Sequence, residues 1–406
     1  MNRLTSSAVC ALALLGSASA EAAAPARATF PVIVVFKDGV SFDSFRGRYQ
    51  PDARAQANPA EWSYLDTGVA GAIQALEKTH GFKSDHVYSA ALRGFSARVP
   101  AALIELLERD SRVAYVEADG PVRLFAQSVP YGIPKVGADV SSTQAGDGTG
   151  TVSNVNVYVI DTGVGSHADI NLVRHVNFTG LLGGGNADCH GHGTHVAGTI
   201  AARDNASDVV GVVPGAPVTG VKVLDCLGMG SNSAVIKGVD WVTANAVKPA
   251  VANMSLGGGA NTSLDDAVKR SAASGVFYAL AAGNDSADAC ASSPARVGAG
   301  TDNGILTLGA TNSADAEASF SNYGSCVDLW APGVDVLSTA LGGGTTTMSG
   351  TSMSSPHGAG GGALYLSAHP GASPAQVEAA LKQDAQSPGS TSKDGRAIRR
   401  QYVGSY

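Results

Sequence analysis

Val155-Asn156-Val157-Tyr158-Val159-Ile160-Asp161 is a mostly apolar, β-branched run that stops on a carboxylate and is followed at once by Thr162-Gly163-Val164. A strand this apolar suits a sheet buried on both faces, which is the usual situation of parallel strands. Val218 to Leu224 and Val276 to Ala282 read the same way, and Thr194 to Ala202, Ser233 to Asn245 and Leu264 to Ser274 between them have helical periodicity. Strands alternating with helices predict an α/β domain whose parallel sheet is covered on both faces. Functional residues in such sheets gather beyond the carboxyl ends of the strands. Asp161 and Asn284 both fall there.

Upstream the pattern differs. Pro31 to Phe36 is β-branched and aromatic, Val69 to His80 is helical, and His86 to Val99 alternates around Arg93-Gly94. Ala101 to Arg109 is a second amphipathic helix and Arg112 to Glu117 a last strand. This order, strand-helix-strand-strand-helix-strand, is that of a small ferredoxin-like α+β unit. Earlier still, Arg3 heads an apolar run from Ala8 to Leu15 that closes on Ala18-Ser19-Ala20, the pattern of a secretory signal peptide over residues 1–20. The run is too short to cross a bilayer, and no later stretch has the length of a membrane helix. Export without a membrane anchor is expected.

A net charge of −7, with 15% charged residues, offers no basic surface for nucleic acid, and 44% hydrophobic residues over 406 suffice for one large and one small core. Cys10 belongs to the leader. The remaining Cys189, Cys226, Cys290 and Cys326 form an even set in an exported chain, which favours disulfides, with three pairings open.

Three motifs carry chemistry, in the order acid, base, nucleophile: Val159-Ile160-Asp161-Thr162-Gly163-Val164, His190-Gly191-His192-Gly193-Thr194-His195, and Gly350-Thr351-Ser352-Met353-Ser354-Ser355-Pro356-His357. Ser352 between a glycine turn and a helical run would stand at a helix start, where unpaired N–H groups welcome negative charge. Taken singly it would be an ordinary helix-capping serine. A serine hydroxyl becomes a useful nucleophile when a neutral imidazole takes its proton and a buried carboxylate fixes that imidazole.

Together the motifs resemble those of the subtilisin-like serine proteases, and most closely the branch that includes proteinase K and aqualysin. Subtilisin itself carries this Asp, His, Ser order. The resemblance spans nearly the whole exported chain. It implies a subtilisin-like three-layer α/β fold with a mostly parallel central sheet over residues 126–406, preceded by a ferredoxin-like propeptide domain over 21–125 with its core at about 30–120. It implies a secreted serine endopeptidase made as a zymogen, in which Asp161 is the acid, His192 the base, Ser352 the nucleophile and Asn284 the oxyanion donor. Loss of such a donor costs roughly 10²–10³ in rate, a figure that comes from subtilisin.

Further roles follow from the same resemblance. Gly228, Met229 and Gly230 on one side and Ser255, Leu256, Gly257 and Gly258 on the other would flank an extended protein or peptide substrate, glycine allowing close backbone approach. Ala281, Ala282 and Gly283 would complete small, apolar walls around the residue before the cut, which implies an apolar or aromatic side chain there. The self-cut would fall between Phe125 and Ala126, and the aromatic Phe125 agrees with that pocket. The propeptide would act as chaperone and inhibitor of its own enzyme, and a monomer is expected. One structural Ca²⁺ would be held by side-chain oxygens of Gln127, Asp169 and Asn205 and by the carbonyls of Arg203, Ser207 and Val209. A second site is in doubt, because Asn312 stands where the proteinase K branch has an aspartate. The aqualysin spacing implies Cys189 with Cys226 and Cys290 with Cys326, each worth roughly 3–4 kcal/mol.

Departures and alternatives remain. Gly358 and Gly360 to Gly362 follow Ser352 where relatives carry fewer glycines, and at about 1 kcal/mol each relative to alanine they predict a soft helix. Gly298 to Gly304 reads as an insertion beside the substrate pocket. Cys189, His190, His192 and His195 invite a zinc site, which would leave the serine motif unexplained. An esterase using the same triad would need a pocket for a small ester instead of a peptide groove, and an inactive peptide-binding homologue would be expected to lack a catalytic group.

Overall fold

The computed structural model describes residues 29–50, 65–120, 127–180, 184–298, 300 and 302–406; residues 1–20, read above as a leader, and the Phe125-Ala126 junction lie outside the described residues. The chain divides after Arg123 into two compact units.

The first unit runs β1 (Thr29–Phe36), α1 (Thr67–His80), β2 (Ser84–Tyr88), β3 (Gly94–Pro100), α2 (Ala101–Glu108) and β4 (Val113–Ala118). Its antiparallel sheet has the order β2-β3-β1-β4, the ferredoxin-like arrangement that the sequence predicts. Helix α1 begins where the Asp66 carboxylate accepts the Gly68 and Val69 N–H groups and stops at Gly81 in the left-handed region. Val32, Val34 and Phe36 of β1 share a core with Phe95, Ala97 and Val99 of β3 and Val69, Ile73 and Leu76 of α1.

The second unit contains β5 (Asn156–Asp161), β6 (Leu172–Asn177), α3 (His192–Ala201), β7 (Val218–Lys222), α4 (Asn232–Asn245), β8 (Ala250–Met254), α5 (Thr262–Ala273), β9 (Val276–Ala281), β10 (Ile305–Thr311), β11 (Leu329–Pro332), β12 (Val336–Thr339), β13 (Thr345–Met348), α6 (Thr351–Ala368) and α7 (Pro374–Asp384). Seven strands form one parallel sheet in the order β11-β10-β9-β8-β5-β7-β6. Alternate residues feed two cores. Val157 and Val159 of β5 and Phe277 and Ala279 of β9 meet Val196 and Ile200 of α3 and Ala359 and Ala363 of α6. Tyr158 and Ile160, with Tyr278 and Leu280, meet Val235 and Val239 of α4 and Leu264 and Val268 of α5. This makes three layers, helices on sheet on helices. The chain builds outward from β5 in both directions, so the strand order reverses beside it, and Asp161 stands at that crevice.

The expected softness of the serine helix is corrected by its packing. α6 is a continuous helix of 18 residues through Pro356. A Cβ on Gly358 would lie 2.7 Å from Leu308 Cδ2, one on Gly360 would lie 2.5 Å from Val212 Cβ, and those on Gly361 and Gly362 would overlap Gln401 and the Phe277 ring. Gly358 and Gly362 are sites of close approach between α6 and the sheet, Gly360 to Val212 after α3 and Gly361 to the carboxyl-terminal segment, so their propensity cost is offset by packing that alanine would disrupt.

The loop from Gly298 to Gly304 also differs from its expected place. The N–H groups of Asn303, Gly304 and Ile305 bind the Glu378 carboxylate of α7, at the amino end of β10 and so at the edge of the sheet opposite Asp161.

Gly362→Ala is expected to destabilise the catalytic unit by about 1–3 kcal/mol through overpacking against Phe277, read as a lower melting temperature. A higher melting temperature would show instead that helix propensity dominates there.

Candidate active site

Asp161, the last residue of β5, is fully buried. Its Oδ1 accepts the Thr162 N–H at 2.6 Å and the Nδ1–H of His192 at 2.7 Å. A contact that short to a carboxylate requires the proton on Nδ1, which leaves Nε2 as the acceptor. Burial opposes charging of His192, but the charge of Asp161, their hydrogen bond and the charge of Asp188 outweigh it and raise the imidazole pKa above its ordinary value.

Asp188, which the sequence reading did not single out, joins the acid to the base. One of its oxygens accepts the Thr162 hydroxyl and the His190 and Gly191 N–H groups at 2.9–3.0 Å; the other accepts the Thr194 N–H at 3.0 Å and its hydroxyl at 2.5 Å. Thr162 Oγ1 in turn accepts the Gly193 N–H at 3.0 Å. The end of β5 and the start of α3 are thus held by one carboxylate. Burial would raise its pKa, yet these bonds hold it below the usual carboxylate value. Buried Lys222 donates to the carbonyls of Thr162 (2.7 Å) and Leu224 (2.9 Å), adding a positive charge beneath the site.

Ser352 is the second residue of α6. Its hydroxyl donates to the Ser255 carbonyl at 3.2 Å, and its own carbonyl accepts the Ser255 hydroxyl at 2.7 Å. Asn253 of β8 bonds both Ser255 Oγ (2.9 Å) and Ser355 Oγ (2.7 Å), so the serines of the helix tie it to the strand. His357, buried beneath, caps Met353 O and is pushed down to about 4 by burial, and is therefore neutral. Asn284 Oδ1 accepts both the N–H and the hydroxyl of Thr351 at 2.8 and 2.9 Å, leaving its NH₂ as the outward donor. A Cβ placed on Gly350 would stand 3.6 Å from both Asn284 Nδ2 and the Ser352 N–H nitrogen, so two donors flank a single point that only glycine leaves open.

Two cavities adjoin at Leu256 to Gly258. One of about 520 Å³ is lined by Gly228, Met229 and Gly230, by Ser255 to Gly258, and by His190 and His192. The other, about 500 Å³, is lined by Leu256 to Gly259, Ala281 to Asn284 and Ser352. Every residue expected at the substrate cleft lines one or both. Asp285, unforeseen, adds a carboxylate to the second. No described residue of the 298–304 loop lines either. The rim at Leu227 and Met229, 78% and 67% exposed, is shaped by Asp225, whose carboxylate accepts both of their N–H groups.

The Subtilase family profile matches residues 152–402, well over half of the chain. The chain belongs to the subtilase family. The Peptidase inhibitor I9 family matches residues 31–125. The extracellular serine proteinase of Thermus sp. (strain Rt41A) is 48% identical over 318 residues, which are 74% of this chain and 73% of that protein. Alkaline serine exoprotease A of Vibrio alginolyticus is 40% identical over 362 residues, 82% of this chain and 62% of that protein. A crystal structure of a cold adapted subtilisin-like serine proteinase is 45% identical, with a TM-score of 0.54 over 61% of this chain and 88% of that one. As a subtilase, the chain is a serine endopeptidase with an inhibitor-type unit ahead of its catalytic unit.

In this subtilase Cys189 is bonded to Cys226 and Cys290 to Cys326, the pairs that the resemblance implies. The first joins the loop before His192 to the loop before Gly228, and so ties two parts of the cleft. It also removes the zinc alternative: Cys189 has no thiolate to offer, and His195 is buried with Nε2 3.0 Å from the Val336 carbonyl. Burial pushes His195 down to about 4, which keeps it neutral.

The residues read as calcium ligands lie together. Asp169, buried, accepts the Asn205 amide at 2.6 Å and the Val209 N–H at 3.2 Å; Asn205 Oδ1 accepts the Ser207 N–H at 2.6 Å; and the Gln127 amide donates to the Arg203 carbonyl at 3.1 Å. Burial raises the Asp169 pKa, since these partners are neutral. Turning the Gln127 amide about its last torsion would present its oxygen instead of its nitrogen, and the Asn205 amide would do the same on giving up the Ser207 N–H. An oxygen-rich set around a buried carboxylate fits a hard cation. Asn312 differs, its oxygen being engaged by the Ala314 and Ala316 N–H groups.

Proposed function

We propose that the chain is an exported zymogen whose residues 1–20 form a signal peptide, 21–125 the propeptide and 126–406 the mature enzyme, with Asp161, His192 and Ser352 as its triad. The 2.7 Å bond from His192 to a buried carboxylate, with His192 lining one of two adjoining peptide-sized cavities and Ser352 the other, carries this reading.

A substrate chain lies between the 228–230 and 255–258 segments, its backbone passing close to glycines, and brings its scissile carbonyl to Ser352. The Ser352 hydroxyl, which rests on the Ser255 carbonyl in the free enzyme, turns to His192 Nε2. As Oγ attacks the carbonyl carbon, its proton passes to Nε2. Asp161 keeps the Nδ1–H tautomer and stabilises the imidazolium. The carbonyl oxygen, now negative, sits between Asn284 Nδ2 and the Ser352 N–H at the positive end of α6. Collapse expels the amine, which takes the proton from His192, and water repeats the sequence to free the acid. The small walls of Ala281, Ala282 and Gly283 favour an apolar or aromatic residue before the cut, and Phe125 meets that preference in the chain's own junction.

Gln127, Asp169, Asn205 and the carbonyls of Arg203, Ser207 and Val209 would hold Ca²⁺, whose positive charge would offset the buried Asp169 carboxylate and add to stability. The catalytic groups are all side chains and backbone N–H groups of the chain.

Ser352→Ala is expected to accumulate as the precursor still joined at Phe125-Ala126 and to leave casein intact, while amino-terminal sequencing of the secreted parent gives Ala126. A Ser352→Ala product that starts at Ala126 in the absence of any added protease would refute self-cleavage. Excess chelator should lower the melting temperature of the mature enzyme, since a ligand present at about 100 times its Kd contributes about 2.7 kcal/mol; an unchanged melting temperature would exclude the calcium loop.

A further inference from the structure

We infer that Asn322 is a positioning residue for the oxyanion donor, acting by fixing the loop that carries Asn284; the inference rests on the role proposed above for Asn284. The segment from Ala282 to Ala287 follows β9 and is neither helix nor strand beyond it. An oxyanion donor is effective when held within a few tenths of an ångström of the developing charge. An irregular loop needs an external brace to achieve this.

Asn322 supplies that brace from both sides. Its backbone N–H donates to the Gly283 carbonyl at 2.9 Å and its Nδ2 to the Ala282 carbonyl at 3.0 Å. Its Oδ1 accepts the Asp285 and Ala287 N–H groups at 2.9 and 3.0 Å. One fully buried side chain and its own N–H thus hold two backbone groups before Asn284 and two after it. The approach is so close that a Cβ on Gly283, at φ 107°, would overlap Asn322 Nδ2. Only an amide has the required two-lone-pair acceptor and the donor on one planar group. A carboxylate would turn an oxygen towards the Ala282 carbonyl, and serine is too short to reach both sides.

A second clamp reinforces the turn from outside. The Ser286 N–H donates to the Phe320 carbonyl at 2.9 Å, and the Lys393 ammonium bonds Ser286 Oγ (3.0 Å) and the Ser319 and Ser321 carbonyls (both 2.8 Å). Thr351 already fixes the Asn284 oxygen, so the amide nitrogen is left beside the point next to Gly350 that it shares with the Ser352 N–H.

The test is a double-mutant cycle on a peptide amide substrate, with rates normalised by active-site titration. Asn322→Ala should lower kcat about tenfold or more with KM within about twofold, because the donor it orients acts in the transition state. In an Asn284→Ala background the same change should cost less than about twofold. Lys393→Met, at an exposed position, should lower kcat about two- to threefold in the parent and leave it unchanged in Asn284→Ala; it decides the matter if Asn322→Ala does not mature. An equal loss in both backgrounds, a loss confined to KM, or no loss from either variant would overturn the inference. An unchanged kcat in Asn284→Ala alone would overturn the role of Asn284 and, with it, this inference.

Discussion

A carboxylate with no exposed surface, at the end of a parallel strand, is the constraint on which the rest of the site depends. Asp161 can hold a proton-accepting imidazole only if it stays charged, and burying a charge costs several kcal/mol unless hydrogen bonds and neighbouring charges compensate. The compensation is local and falls on one oxygen, Oδ2 being buried without a hydrogen-bond partner among the described residues. His192 and the Thr162 N–H bind one oxygen, Lys222 lies beneath on the Thr162 carbonyl, and Asp188 locks Thr162 to the first turn of α3. Asp161 and His192 are therefore positioned by the same few residues, and the raised pKa of His192 is the electrostatic consequence.

The sheet extends that order across the cleft. Because β5, β7, β8 and β9 are parallel neighbours, their carboxyl ends present Asp161, the 228–230 loop, Ser255 and Asn284 along one edge. α6 then brings Ser352 to that edge, anchored through Ser355 and Asn253 and pressed onto the sheet by its glycines. The Cys189–Cys226 bond restrains the loops before His192 and Gly228, and Cys290–Cys326 sits beside the short pairing of Gly258 and Gly259 with Ser292 and Ser293.

What was legible in the sequence was what is carried by contiguous residues. Asp161, His192, Ser352 and Asn284 sit in short motifs, and β5, β7 and β9 are mostly apolar, buried runs. Several of the strands that the sequence pattern does not mark lack such a run: β8 contains Asn253, whose amide is bonded by Ser255 two residues on and by Ser355 far along the chain; β6 is an edge strand bearing Arg174 and His175; and β11 is four residues long and ends on Pro332. Asp188 and Asn322 were invisible because their roles lie in backbone groups that the fold, not the sequence, brings near. The glycines of α6 were misread because a helix propensity counts the local cost and omits the neighbour that occupies the missing Cβ. The 298–304 loop reads as an insertion beside the pocket, but in the fold its backbone is held by Glu378 of α7 and leads into β10.

The coupling of Asp161 to His192 is most directly tested by the pH dependence of kcat/KM in the mature enzyme and in Asp161→Asn. His192 works as a neutral base, so a pKa raised above its ordinary 6.5 means that activity appears as pH climbs through a value above 6.5. Removing the Asp161 charge should move this acidic limb to lower pH and reduce kcat by about 10⁴. A limb that keeps its position in Asp161→Asn, or that lies well below 6.5 in the parent, would contradict the account.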